Sequence, residues 1–386
     1  MSSAQTAISR MLAIPALSRL IERGHATRNA LLANLKFQRF AAAMPLTRPI
    51  AQKRAREVFD LCAGFVYSQI LFSCVKLDVF AHLRGGPKDA AALAPKLNLT
   101  EEATRRLLDA AVALKLVDRM SDDRYGLGPH GAVIDGNPGI VKMIEHHAML
   151  YADLADPVAL LRSERGSGEL ARYWAYARSR NSDDLTDVRI ADYTALMSAS
   201  QTLIAEDVLA AYPLGNHRKL LDVGGGDGTF LGAVAVRAPH LELMLFDLPA
   251  VAERAREKFI RGGLDGRARA FGGDFFNDPL PEGADIISLV RIIHDHDDVP
   301  VRKLFAAVHR ALAPGGRLLV AEPMSGASGA ETVGDAYFGF YLLAMGSGRP
   351  RTAEAISEML QREGFSSVRR IKTRMPLQTS LIVAER

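Results

Sequence analysis

Short apolar runs alternate with amphipathic helical stretches across the C-terminal half. This pattern predicts an α/β fold: a mostly parallel seven-stranded sheet with helices on both faces, behind a mainly helical N-terminal domain. Two further observations support it. Helical periodicity fills most of the first 215 residues, and a glycine-dense turn, Gly224-Gly225-Gly226-Asp227-Gly228, follows the first apolar run. A chain of 386 residues is too long for one ordinary core, so two or three compact units are expected. Its 48% hydrophobic and 24% charged residues exclude a disordered chain. No uncharged apolar run reaches the ~18–20 residues of a membrane span, and no short apolar leader opens the sequence. Cys62 and Cys74 are too few for a disulfide framework and fit a reducing cytoplasm, so secretion is not expected.

The net charge of +4 hides an asymmetry. Residues 1–56 hold ten Lys or Arg against one acid, Glu22; they carry +9 and leave −5 for the other 330 residues. Apolar residues such as Leu12, Leu20, Leu31, Leu35 and Phe40 recur there at helical spacing. Residues 1–55 thus read as a basic amphipathic arm. Such an arm can pack on the next domain with a solvated basic face, or lie on an anionic bilayer; nucleic acid is a weaker match.

Residues 56–135 continue as helix from Phe59 to Phe80, closed by Gly85-Gly86-Pro87. Two short helices follow, Asp89–Leu97 and Thr100–Leu114, the second opening on a capping-box-like Thr100 with Glu101 and Glu102. A small hairpin spans Leu116–Arg119 and Tyr125–Leu127, which completes a winged-helix order. Its would-be recognition helix mixes Arg105 and Arg106 with Glu101, Glu102 and Asp109, a poor surface for phosphates. Dimerisation or packing is the expected role, with no nucleic acid bound. Residues 136–215 read as a helical segment, interrupted by polar stretches at Arg162–Gly168 and Arg178–Asp187.

From residue 216 to 386 the strands are expected at Lys219–Val223, Leu241–Phe246, Arg267–Phe271, Ala284–Val290, Gly316–Ala321, Ser366–Ile371 and Leu381–Glu385. The glycine turn sits between the first strand and its helix, where glycine allows close backbone approach and positive φ. A dinucleotide fingerprint, G-x-G-x-x-G, fails here: counted from Gly224 the third glycine is Thr229, and counted from Gly226 it is Leu231. What remains is G-x-G-x-G preceded by Asp222. Asp247, followed by Leu248, ends the second strand and can accept hydrogen bonds from both hydroxyls of a ribose. After the third strand, Gly273-Asp274-Phe275 suits an adenine, with Asp274 at the exocyclic amine and Phe275 stacked on the ring. Ribose and adenine sites without a pyrophosphate cradle point to a nucleoside cofactor such as S-adenosylmethionine.

Asp222–Gly228, Asp247, Gly273-Asp274-Phe275 and His294-Asp295 with Asp297-Asp298 resemble the small-molecule O-methyltransferases of bacteria and plants. The resemblance covers roughly residues 55 to 386. It implies a winged-helix dimerisation domain, hence a homodimer through the N-terminal half, joined to a Rossmann-like methyltransferase domain. Within that family, AAMPLTR (Ala42–Arg48), FDLCAGFVYSQ (Phe59–Gln69) and YFGFYLLAMGSGRPR (Tyr337–Arg351) look like the bacterial carotenoid 1-hydroxy O-methyltransferases of the hydroxyneurosporene or demethylspheroidene type. The implied substrate is a hydrophobic small molecule, a hydroxylated acyclic carotenoid. The implied setting is the cytoplasm with peripheral contact to the photosynthetic membrane.

The resemblance also places His294 at the general-base position and Glu322 at an acid that orients it; Arg291 matches a basic position near the cofactor. Two departures stand out. His296 replaces the usual Trp after His-Asp, and Pro350 replaces a second acid before Arg351-Thr352. His294–Asp298 could instead be a metal cluster, but adjacent residues at a strand end point in opposite directions, so no metal site is expected. The acceptor pocket is expected between residues 140–200 and the carboxyl edge of the sheet, lined by Met149, Phe338, Tyr341 and Met345. Two other functions share this architecture: a C-methyltransferase of bacteriochlorophyll biosynthesis, and a winged-helix regulator with a nucleoside-sensing domain.

Overall fold

The computed structural model describes residues 15–163, 168–177, 201–330, 332–376 and 378–386. The expected interruption at Arg178–Asp187, much of that at Arg162–Gly168 and residues 1–14 of the arm lie outside them.

The arm forms helices α1 (Pro15–Ala33) and α2 (Leu35–Ala43), and α3 (Arg48–Lys76) follows. The helix expected to run on to Phe80 instead breaks after Lys76, because Asp78 adopts the left-handed region (φ 52) and turns the chain into α4 (Val79–Leu83). A second correction concerns length. Although no uncharged run is long enough, α3 as a whole is long and apolar enough to cross a membrane by length and composition, and only 11% of its most apolar window is buried. Leu61 and Phe65 on it are 85% and 71% exposed.

Helices α5 (Ala90–Leu97) and α6 (Glu101–Ala113) start on side-chain caps, with Asp89 accepting from Ala92 N–H and Thr100 from Ala103 N–H. Each such cap stabilises its helix by about 1 kcal/mol. The hairpin β1 (Val117–Arg119) and β2 (Tyr125–Leu127) closes this domain, and the buried Tyr125 donates its hydroxyl to Asp109 at 2.7 Å. Helices α7 (Pro129–Asp135), α8 (Pro138–Asp153), α9 (Pro157–Arg162), α10 (Glu169–Ala177) and α11 (201–211) lead to the sheet.

The sheet has seven strands in the order β5-β4-β3-β6-β7-β9-β8: β3 (Lys219–Val223), β4 (Glu242–Asp247), β5 (Ala268–Gly272), β6 (Ala284–Val290), β7 (Leu312–Glu322), β8 (Ser366–Ile371) and β9 (Ser380–Glu385). β3 to β7 pair in parallel, and β9 runs antiparallel to both β7 and β8. β7 starts at Leu312, earlier than the expected Gly316, because Gly315 (φ +72) turns the chain and the register with β6 shifts there.

Alternation along the strands fills two cores. Leu220, Leu243, Leu245 and Ile286 face one cluster with α11, α12 (Thr229–Arg237) and α13 (Pro249–Arg261). Leu221, Val223, Phe246 and Ile287 face the other, with α14 (Asp298–Ala311) and α16 (Ala353–Arg362). α15 (Phe338–Met345) packs instead on α8 and α10. Chain order moves from β3 to β5 on one side and from β6 to β7 on the other. The switch lies between β3 and β6, so a crevice opens at their carboxyl ends, where open α/β sheets bind ligands.

Phe305 on α14 is fully buried between that helix and the sheet. Phe305→Ala is expected to destabilise the C-terminal domain by about 3–5 kcal/mol, read as a lower denaturation midpoint in urea.

Candidate active site

The crevice is built first by the turn after β3. Gly224 and Gly226 sit at φ +72 and +60, which directs their N–H groups to the neighbouring strand: Gly224 N–H meets Phe246 O and Gly226 N–H meets Asp247 Oδ2, both at 2.8 Å. A Cβ at Gly225 would stand 2.6 Å from Asp222 Oδ2, so no side chain fits between the turn and that carboxylate.

Asp222 is buried. Its Oδ1 accepts from Ser288 Oγ at 2.6 Å across β3 and β6, while Oδ2 has no hydrogen-bond partner among the described residues. Burial pushes this carboxyl up to about 7, against the opposing bond from Ser288. An orphaned carboxylate oxygen facing a glycine turn suits an ammonium group. Asp247, at the end of β4, accepts from Gly226 and Leu248 N–H groups and keeps lone pairs for further donors; burial raises it to about 6.

Gly273 N–H returns to Asp247 O at 2.9 Å. Asp274 spends its carboxylate on its own turn, accepting from Phe276 N–H and Asn277 Nδ2. Phe275 and Phe276 stand edge-on to each other and to His296. The His that replaces the expected Trp is thus part of an aromatic wall. Together, Asp222, the glycine turn, Asp247 and Phe275 fit an aminoacyl nucleoside.

At the end of β6, Arg291 takes φ 59, a conformation a non-glycine residue holds only under constraint. Its N–H bonds Ala321 O at 2.8 Å. The turn this produces aims the next two N–H groups, of Ile292 and Ile293, at Glu322 Oε1 (2.8 and 2.7 Å). The other oxygen of Glu322 pairs with His294 Nδ1. His294 Nε2 lies 3.2 Å from Asp295 Oδ1. Burial alone would lower the imidazole pKa; Asp295 and Glu322 outweigh it, against opposition from Arg291, and hold it above its ordinary value.

Phe338 stands edge-on to His294, with ring centroids 5.8 Å apart. Tyr341 is buried and hydrogen-bonded to His146 Nε2 at 2.8 Å, and Tyr337 Oη meets His147 Nε2 at 2.7 Å. Burial lowers His146 to about 4, so it is neutral. Met345 is buried in the same cluster, and Met149 is half-buried there. Of the four expected lining residues, then, Phe338 stands beside His294 and the other three lie where α15 packs on α8. Residues 178–200 of the expected pocket lie outside the described residues. Ser288, the contact of Asp295 with His294 Nε2 and the pairing of Tyr337 with His147 are not legible in the sequence; the alternation of β6 is the signal that would have turned Ser288 toward Asp222.

Family comparison agrees with this geometry. Residues 151–366 match the O-methyltransferase domain and residues 59–133 the O-methyltransferase dimerisation domain. The chain is 44% identical to demethylspheroidene O-methyltransferase of Cereibacter sphaeroides, over 91% of this chain and 92% of that one. It belongs to the O-methyltransferase family. The Rhodobacter capsulatus demethylspheroidene O-methyltransferase is 41% identical over 89% of this chain and 85% of its own. Among solved structures, mitomycin 7-O-methyltransferase MmcR superposes with a TM-score of 0.73 at 25% identity, covering 88% of this chain and 99% of that one. Human N-acetylserotonin methyltransferase in complex with SAM gives 0.71 at 24% identity, covering 86% and 97%, which speaks for the fold.

This chain is an S-adenosylmethionine-dependent O-methyltransferase acting on a small molecule, and it carries the family's dimerisation domain. The regulator and C-methyltransferase readings are not favoured. Consistent with that, three arginines of the winged helix are engaged in ion pairs: Arg105 with Glu101 and Asp123, Arg106 with Glu102, and Arg119 with Asp109 and Asp123.

Asp222→Ala is expected to weaken S-adenosylhomocysteine binding roughly 10–100-fold, the loss of a charged hydrogen bond. An ammonium needs Asp222 ionised, so wild-type affinity should fall as pH drops below about 7. Isothermal titration across pH checks both; flat affinity would remove Asp222 from the cofactor site.

Proposed function

We propose that this enzyme methylates the tertiary 1-hydroxyl of an acyclic carotenoid of the demethylspheroidene or hydroxyneurosporene type. The observation that carries the acceptor is 44% identity along nearly the whole length of a demethylspheroidene O-methyltransferase. The apolar character of α15, with Phe338, Phe340, Leu342 and Leu343, suits such a substrate.

S-adenosylmethionine supplies an electrophilic methyl on a sulfonium whose thioether leaves readily. The chain's residues have three tasks. Asp222, Gly224 and Gly226 would hold the amino-acid end, Asp247 and Leu248 the ribose, and Gly273 and Phe275 the adenine, with the Asp274 carboxylate bracing that turn. Phe338 and its neighbours align the hydroxyl and exclude water. His294 receives the proton at Nε2, which requires the hydroxyl to displace Asp295 from that nitrogen, while Glu322 holds Nδ1. An aliphatic alcohol is a far weaker acid than imidazolium, so the proton leaves as the C–O bond forms.

His294→Ala should lower kcat by roughly 10²–10⁴-fold with S-adenosylhomocysteine affinity nearly unchanged, measured with labelled S-adenosylmethionine and demethylspheroidene. Only neutral imidazole accepts a proton, so kcat/KM, which reports the free enzyme, should fall as pH drops through a value above 6.5. Asp295→Asn should move that limb to lower pH. Retained activity in His294→Ala would remove the base.

The working form proposed is a homodimer, with the exposed apolar face of α3 against the partner and the cytoplasm as its setting. The arm then offers its basic, partly apolar surface to an anionic membrane, the source of a carotenoid. Leu20, Leu35 and Phe40 there are more than half exposed. Deleting residues 1–40 should weaken binding to anionic liposomes in flotation and leave cofactor binding intact; unchanged flotation would end the membrane assignment.

A further inference from the structure

The loop after α15 lies against the turn that carries His294 and meets it through backbone carbonyls. Arg349 N–H donates to His294 O at 3.0 Å, and Ser347 Oγ to Asp295 O at 2.9 Å. Arg351 donates from Nη1 to Ile293 O and from Nη2 to His296 O, both at 2.7 Å. The four consecutive carbonyls of residues 293–296 are therefore all held by residues 347–351.

Arg351 is 6% exposed, and its Nε lies 3.0 Å from Asp298 Oδ1, the first residue of α14. Arg349 pairs with the same carboxylate. Gly348 completes the fit. Its φ is +83, its N–H reaches Asp297 Oδ1 at 3.3 Å, and a Cβ there would overlap the His294 carbonyl.

The turn that carries His294 is only weakly bonded within itself. Its internal bonds, Asp295 N–H to Ile292 O and His296 N–H to Ile293 O, are both long at 3.4 Å. Glu322 takes the N–H groups on one side, and this loop takes the carbonyls on the other. No acid precedes Arg351; Pro350 stands there.

We infer that residues 346–351, and Arg351 above all, form a positioning strap that fixes the His294 turn from its carbonyl side. This deepens the methyl-transfer reading and rests on it for the role of His294. The fork of a guanidinium spans two carbonyls and a carboxylate at once, which the single ammonium of a lysine cannot do. Because the strap hangs from α15, the helix bearing Phe338 and the base are held in one register.

The test uses the full-length chain with S-adenosylhomocysteine bound. ¹³Cε1-histidine NMR follows the titration of His294, assigned with His294→Gln. Glu322, Asp295 and Arg291 are the charged groups facing that ring. Arg351→Lys should bring its pKa down toward 6.5 as the ring slackens from the two carboxylates. Turnover should drop roughly 10–100-fold, the scale of a small misplacement, with S-adenosylhomocysteine affinity within about twofold. Guanidinium added to Arg351→Ala should restore part of the turnover.

If Arg351→Ala does not fold, Asp298→Asn, which slackens the same guanidinium from the half-exposed end, should give the same downward titration shift. Lowered melting temperature with the wild-type titration in Arg351→Lys and Asp298→Asn would overturn the strap. The titration needs no acceptor. A wild-type enzyme inert toward demethylspheroidene would therefore defeat the proposed substrate while leaving the strap to be judged on its own.

Discussion

One carboxylate organises the crevice at the carboxyl ends of β6 and β7. Glu322 ends β7, and its two oxygens take two backbone N–H groups and the Nδ1 of His294. The backbone bonds are possible only because Arg291 enters the left-handed region and turns the chain across the end of β6. A buried carboxylate with a single partner would be expensive to keep ionised. Three donors on one side chain offset that desolvation and leave the imidazole with one orientation. Local strain at Arg291, the position of Glu322 and the tautomer of His294 are therefore a single arrangement.

The same logic divides labour between the two sides of the switch point. On the β3–β4 side, polar atoms are left incompletely satisfied: Asp222 Oδ2 has no partner among the described residues, and Asp247 retains accepting capacity. Those groups are prepared for a ligand with donors. On the β6–β7 side, the backbone of the His294 turn is held from both faces, as the general-base role proposed for His294 would require. Helix α15 bridges to a third region, where His146 and His147 lock onto Tyr341 and Tyr337. The acceptor side proposed here is thus held by neutral hydrogen bonds in an apolar environment, compatible with a hydrophobic substrate.

How much of this the sequence revealed differs by element. Strands such as Lys219–Val223 and Ala284–Val290 were legible to the residue, because strands buried on both faces read as continuous apolar runs bounded by polar turns. The break at Asp78 was not legible, since a left-handed aspartate inside a helical pattern leaves no compositional mark. Arg351 was visible only as a departure next to Pro350. Its partners are main-chain carbonyls some 55 residues earlier, and main-chain groups carry no sequence signal.

The amino-acid order by itself determined the layering, the glycine turn and the chemical types brought to each strand end, because these follow from periodicity and from residues with restricted or unusual backbone freedom. Tertiary structure alone decided which of those groups meet. The pairing of Glu322 with His294, the orphaned oxygen of Asp222 and the grip of residues 347–351 on a turn of four carbonyls all depend on β6, β7 and α15 converging at one sheet edge. Contacts between residues far apart in the chain are set by how the layers pack, and local pattern does not encode them.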